Sequence, residues 1–315
     1  MADLQSQLQN HLQNYLQFLS AKKFSPKTIK AIGIDLKYFI KWLVKKNITD
    51  ISQINYQILF DYQEHLSICK SNLTGRSLAI STQARKLVYV RGLFNYLVKT
   101  DVILCDPAKK INLPRKPETI RWALLSTSDI RKIFLLFDLN TAIGCRNRAI
   151  MELLYTTGMR SGELCNLRLN DIEYENNIIR INAGKGNKDR AVPACGRALR
   201  FTEQYIKNIR QEFVINKSKD YIFLSHRGWP LRNAQLTVLL HSCGKKANLK
   251  KLVTPQSFRI ACATHMLKNG ADVRYIQKLL GHTSIDTSIQ YLRLEKSNLK
   301  KAHSESHPRE KNKRM

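Results

Sequence analysis

Three stretches of this sequence carry side chains that could act on a phosphodiester. The first reads Tyr155-Thr156-Thr157-Gly158-Met159-Arg160-Ser161-Gly162-Glu163-Leu164. Gly158 should end one helix there and Arg160 should open the next, where free backbone N–H groups already favour an anion. The second, Gly184-Lys185-Gly186-Asn187-Lys188-Asp189, reads as a hairpin tip that presents Lys185. The third comprises Pro255-Gln256-Ser257-Phe258-Arg259, then Leu279-Leu280-Gly281-His282, then Gln290-Tyr291-Leu292. Together these supply a tyrosine that could be a nucleophile and a lysine and a histidine that could pass protons. They also supply arginines, whose planar forks match phosphate oxygens in a way an ammonium does not. Taken singly, each residue has a plainer explanation. Arg160 could be a helix-surface residue, Lys185 a solvated turn lysine, and Tyr291 half-buried packing on an amphipathic helix.

Charge selects among the chemistries. The 315 residues contain 53 Lys plus Arg against 24 Asp plus Glu, a net charge of +29. Self-repulsion of that size opposes compact folding, and a polyanionic partner is its natural counterpart. A basic ribosomal or membrane-surface protein would share the feature, but charge and size together favour nucleic acid. The sequence has no GxxxxGK[ST] loop, no acidic site for Mg²⁺ and no metal-ligand spacing, so no cofactor and no metal are expected. What remains for a phosphodiester is covalent catalysis by a side chain, with cations around the phosphate. Seven cysteines, an odd number without a CxxC pair, argue against a disulfide framework or a zinc site and fit a reducing cytoplasm. A DNA-bound protein there would be nucleoid-associated. The first residues have no basic and apolar regions of a secretory signal, and no run of ~18 apolar residues suggests a membrane span.

These groups need elements to hold them. Residues 3–20 place Leu4, Leu8, Leu12, Tyr15, Leu16 and Leu19 at helical spacing. Ser25-Pro26 then reads as a cap and first helical position, followed by a buried stripe of Ile29, Ile32, Leu36, Phe39 and Leu43. Lys27, Lys30, Lys37 and Lys41 lie off that stripe. A third helix is expected at about 53–67. A fourth follows Ser81, with Leu87, Val90, Phe94 and Leu97 inward and Arg85, Lys86 and Arg91 elsewhere. Any one basic set is ordinarily a solvated helix face, but several in one small helical domain point to phosphate contact, making these seven residues DNA-binding candidates. Prolines 107, 114 and 117 among lysines and arginines mark a basic linker. The second half is mixed. A helix opens with capping-box spacing at Ser126–Asp129, another spans about 144–156, and a short one runs to Leu167. Strand 178–181 turns through the Lys185 tip into 190–193. Helices follow at about 196–215, 232–246, 255–269, 272–281 and 284–294, and Tyr221–Leu224 adds a short extended piece. The expected domains are 1–105, helical and DNA-binding; 106–122, linker; 123–302, catalytic; and 303–315, a flexible basic tail.

The strings TTGMRSGEL, GKGNKDRAVP, ATHMLKNGADVRYIQKLLGH and TSIDTSIQYL, in this order and spacing, resemble the tyrosine recombinase or phage integrase family, and most closely its Xer-type branch. STQARKLVYVRGLFNYL at 81–97 resembles the last helix of the family's N-terminal domain, so the likeness runs over nearly the whole chain. The resemblance implies a mainly α fold with a small β-sheet: a helical DNA-binding domain and a catalytic domain that close around duplex DNA as a C-shaped clamp. It implies that Arg160 and Arg259 clamp the scissile phosphate and that Lys185 protonates the 5′-oxygen leaving group. His282 would hydrogen-bond the phosphate and help orient or deprotonate Tyr291, whose attack would give a 3′-phosphotyrosyl link. It implies double-stranded DNA as partner and a homo- or hetero-tetramer on two DNA sites, with no membrane partner.

The pattern departs at one place. The family has His, less often Lys, three residues before the second arginine, and often His just after it; here the two are Gln256 and Ile260. Gln256 can donate a hydrogen bond to a phosphate oxygen but cannot carry charge or relay a proton. The expectation is a site-specific recombinase, slower or more conditional than one with histidine. The rival readings are a catalytically impaired DNA-binding protein of the same fold and a type IB topoisomerase-like relaxing activity.

Overall fold

Leucines three and four apart fold the N-terminal segment into α1 (Ala2–Ala21), burying Leu8, Leu12, Tyr15 and Leu19. The computed structural model describes residues 2–48, 50–70, 75–115, 124–182 and 189–281. α2 (Pro26–Lys45) starts as its sequence dictates: the Ser25 hydroxyl accepts the Thr28 N–H at 3.2 Å, and Pro26 fills the first helical position. A single 3₁₀ turn (Ile51–Gln53) precedes α3 (Tyr56–Ile68), and α4 (Ile80–Lys99) completes the unit. Leu36, Phe39, Leu59, Tyr62, Leu66, Leu87 and Phe94 are wholly buried between them. Each such side chain contributes about 1.5–3 kcal/mol of burial. Ala108 and Ile111, from the basic segment after α4, join the same core.

Lys86 corrects the expected face of α4. It does not lie on the solvent side. Its ammonium is turned inward onto the Asp35 carboxylate at 2.9 Å and over the Tyr38 ring at 4.3 Å, while Arg85 Nε reaches the other Asp35 oxygen at 3.1 Å. Asp35 sits on the buried side of α2, and a buried carboxylate without a cation would be costly. Lys86 is therefore used in the interior, whereas Lys27, Lys30, Lys37, Lys41, Arg85 and Arg91 are exposed.

In the second unit, Ser126 and Asp129 form a reciprocal capping box at the start of α5 (Thr127–Phe134). α6 (Ala142–Thr157) ends on left-handed Gly158, and α7 (Ser161–Asn166) follows after Arg160. β1 (Ile172–Glu173), β2 (Ile178–Ile181) and β3 (Arg190–Pro193) make an antiparallel sheet in that order, with Ile172 and Val192 each opposite Ile179 and Ile181 opposite Arg190. The Lys185 tip between β2 and β3 lies outside the described residues.

The helix expected over 196–215 is not continuous. α8 (Gly196–Gln204) passes into a π turn (Tyr205–Ile209) and then a 3₁₀ turn (Arg210–Phe213). Buried Tyr205 stacks on Phe223, and Arg210 donates to the carbonyls of Tyr221 and Lys219 at 2.9 and 2.8 Å. These tertiary partners pull the helix out of regular register. α9 (Asn233–Lys246), α10 (Pro255–Lys268) and α11 (Val273–Leu280) follow. α10 is buried continuously from Ser257 to His265, which makes it the central helix of this unit. The helix expected at 284–294 lies outside the described residues. The chain divides into two compact units, Met1–Thr119 and Ile120–Met315.

Candidate active site

The site is built where four helix ends meet. α6 closes at Gly158, whose φ of 57° suits a residue without a side chain. A Cβ at Gly158 would also lie 2.7 Å from Leu280 Cδ2, so the turn needs glycine for space as well as for conformation. That turn delivers Arg160 to the N-cap of α7, where its backbone N–H donates to Glu163 Oε2 at 2.8 Å. α10 starts at Thr254, whose hydroxyl accepts the Ser257 N–H at 3.1 Å, and Pro255 opens the helix. This leaves Gln256 exposed in the first turn and carries Arg259 one turn inward, where it is 2% exposed. α11 ends at Gly281, left-handed with φ 63°.

The last carbonyls of α11 gather the cations. Arg190 Nε donates to Leu279 O at 3.3 Å, Arg259 Nη2 to Leu280 O at 2.6 Å, and Arg160 Nη2 to Gly281 O at 3.1 Å. Arg259 Nη1 also donates to Gly158 O at 2.7 Å. Carbonyls at a helix C-terminus lack intrahelical partners and carry partial negative charge, so guanidiniums are natural donors to them. Three arginines on three consecutive carbonyls place Arg160 and Arg259 side by side although they come from separate helices.

Glu163 is the counter-charge. Its oxygens receive Arg160 Nη1 at 2.9 Å and both Arg190 Nη1 and Nη2 at 2.8 Å, besides the Arg160 backbone N–H. Burial alone would raise its pKa; the Arg190 fork, the Arg160 N–H and the Arg160 guanidinium outweigh burial and hold it at about 2. The carboxylate is therefore ionised throughout the neutral range. Behind the site Cys262 packs against Gly158, with its thiol pushed up to about 12 by burial. Among the described residues, one carboxylate among three guanidiniums leaves a net positive locus beside the Arg160 side chain, which is 29% exposed. Such a locus suits the oxygens of a phosphodiester.

The structure thus brings Arg160 and Arg259 together and puts Gln256 one helical turn ahead of Arg259. Lys185, His282 and Tyr291 lie outside the described residues; Lys185 precedes β3, and His282 directly follows Gly281. Reading the sequence missed Glu163 and Arg190. Glu163 stands three residues after Arg160, the spacing of a capping box, and Arg190 opens the strand leaving the Lys185 hairpin. His265 Nδ1 and the Tyr155 hydroxyl share a hydrogen bond at 2.9 Å. Among the described residues no group of three His, Cys, Asp or Glu side chains could hold a metal.

Residues 124–298 match the phage integrase family, and residues 12–101 match the phage integrase N-terminal SAM-like domain. Among curated proteins, the tyrosine recombinase XerC of Anoxybacillus flavithermus is 33% identical over 291 residues, 91% of this chain and 94% of that one. The tyrosine recombinase XerD of Listeria monocytogenes is 32% identical over 297 residues, 93% of this chain and 97% of that one. Among solved structures, the XerH site-specific recombinase bound to palindromic difH substrate superposes with a TM-score of 0.71 at 22% identity, covering 95% of this chain and 84% of that one. The Tn1549 transposon integrase with transposon right end DNA gives 0.70 at 17%, covering 92% and 99%. These last two share the fold.

Proposed function

This chain belongs to the phage integrase family of tyrosine recombinases, and on that premise we propose that it breaks and rejoins duplex DNA at specific sites with Tyr291 as the nucleophile. The Tyr291 oxygen gives up its proton with help from His282 and attacks the scissile phosphorus, the bond to the 5′-oxygen breaks, and Lys185 gives that oxygen its proton. The protein is left joined to the 3′-phosphate. A 5′-hydroxyl from another strand then attacks the phosphotyrosine and expels Tyr291. The ester conserves the energy of the phosphodiester, so no nucleotide cofactor is needed. Charge growing on the non-bridging oxygens is met by Arg160 and Arg259, which exchange their carbonyl partners on α11 for phosphate oxygens, and by a hydrogen bond from His282. The observation that carries this reading is the convergence of Arg160 and Arg259 on adjacent carbonyls, Gly281 and Leu280.

Double-stranded DNA is the partner, and exchange between two duplexes calls for four nucleophiles and hence a tetramer. The exposed cations of the first unit, Lys27, Lys30, Lys37, Lys41, Arg85 and Arg91, hold the DNA backbone; Lys86 supports that surface from within through Asp35. No described helix is long and apolar enough to cross a membrane. A nicked duplex that loses the cleaved end traps the intermediate. Wild type should become covalently attached to it, and Tyr291→Phe should bind equally well and form no adduct. An adduct formed by the Phe variant would place the nucleophile elsewhere. A two-site assay separates strand exchange from relaxation alone. The uncharged Gln256 favours one second reading, a DNA-binding protein impaired in cleavage, for which wild type would bind the duplex and form no adduct.

A further inference from the structure

The Arg190 guanidinium bonds to two of the segments that carry the proposed catalytic residues and opens the strand that follows a third. Its Nη1 and Nη2 form a parallel fork on the two oxygens of Glu163, both at 2.8 Å, in the helix that Arg160 caps. Its Nε donates to Leu279 O at 3.3 Å, at the end of α11 and just before His282. Its own backbone is the first residue of β3, directly beyond the segment that holds Lys185. The Arg190 side chain also packs closely on the end of α11. A Cβ on Gly281 would stand 3.1 Å from Arg190 Cδ and Nε.

We infer that Arg190 is a positioning residue for strand cleavage, which acts through Glu163 and the end of α11 to fix Arg160 and the backbone leading to His282, without itself holding the DNA phosphate. This rests on the recombinase reading above. The charge arrangement supports it. Glu163 would otherwise neutralise Arg160, its neighbour one helical turn away. Because the Arg190 fork takes both carboxylate oxygens, only Arg160 Nη1 is engaged there, and Nη2 is left on a carbonyl at 3.1 Å. Without Arg190 the carboxylate can turn to take both arms of Arg160, and α11 loses a tie at its last turn. A lysine in its place would keep the charge but not the fork, since one ammonium cannot reach both Glu163 oxygens and Leu279 O in this geometry.

The test compares Arg190→Ala and Arg190→Lys with wild type on the nicked duplex, in single turnover at saturating protein and at a temperature where all three are folded. Adduct formation should slow by ~10- to 100-fold in both variants, the range expected when reacting groups are displaced by about 1 Å. DNA affinity and the slope of its salt dependence should stay as in wild type. Hydrogen exchange at the Leu280 and Gly281 amides should quicken in both variants. Glu163→Gln combined with Arg190→Ala should cleave no more slowly than the slower single variant, because the two act as one unit. Cleavage within twofold of wild type in Arg190→Ala would overturn the inference. So would full rescue by lysine, strictly multiplicative losses in the double variant, or a salt slope lowered by about one, which would mark Arg190 as a phosphate ligand. If wild type forms no adduct, the recombinase reading fails by itself, and the exchange measurement alone decides whether Arg190 holds α11.

Discussion

Replacing Glu163 by glutamine should remove a pH-dependent share of stability that can be sized from the site. The carboxylate takes hydrogen bonds at 2.8 Å from the Arg160 N–H, 2.9 Å from the Arg160 guanidinium and 2.8 Å from each arm of the Arg190 fork. Burial opposes ionisation, yet these partners lower the pKa from an ordinary 4.5 to about 2. A folded-state pKa below the unfolded one means that the contribution is fully present above about pH 4.5 and is lost as pH falls through about 2. With the side chain only 6% exposed, solvent screens little of it. At about 1.4 kcal/mol per pKa unit, the difference amounts to roughly 3 kcal/mol near neutrality and roughly 1 kcal/mol at pH 3. An amide at this position does not titrate in that range. The stability difference between wild type and Glu163→Gln should therefore shrink by about 2 kcal/mol between pH 7 and pH 3, measured by urea denaturation at each pH. A difference that stays constant over that span would show that the carboxylate is not held by these arginines, and the geometry of the site would have to be redrawn.

Gln256→His should raise single-turnover cleavage by about tenfold, equivalent to ~1.4 kcal/mol, by adding a charge-assisted hydrogen bond next to Arg259, and Gln256→Ala should lower it. If histidine cleaves no faster and alanine matches wild type, Gln256 does not face the phosphate. Asp35→Asn should destabilise the first unit by about 3–5 kcal/mol, since it strands the Lys86 ammonium in the interior, and pairing it with Lys86→Met should recover most of the loss. A denaturation midpoint that does not move in Asp35→Asn would refute that pairing. Cleavage should proceed in excess chelator, with arginines meeting the phosphate charge; activity lost in EDTA and restored by Mg²⁺ would sink the mechanism.

Much of this molecule could be read locally. Ser25-Pro26, the Ser126–Asp129 box and Gly158 each act through bonds to residues within a turn of themselves, so their spelling sufficed to place helix ends. The apolar spacing of the first hundred residues likewise marked the buried faces of α1, α2 and α4. The motif order around Arg160 and Arg259 carried the family and its chemistry. Lys185, His282 and Tyr291 rest on that reading of the sequence. Other features depended on residues remote in the chain. Lys86 has the pattern of a solvated lysine, and only the arrival of buried Asp35 from α2 turns it inward. The helix after Gly196 has regular spacing, yet Tyr205 and Arg210 find partners in 219–224 that break it. β1, at two residues, is too short to leave a periodic signal and exists because β2 offers it a ladder. The convergence of Arg160, Arg190 and Arg259 on the end of α11, and of Arg190 on Glu163, has no local signature. Periodicity and capping describe how a segment satisfies its own backbone. The acceptor a long cationic side chain reaches is decided by which distant backbone lies within about 3 Å once the helices have packed.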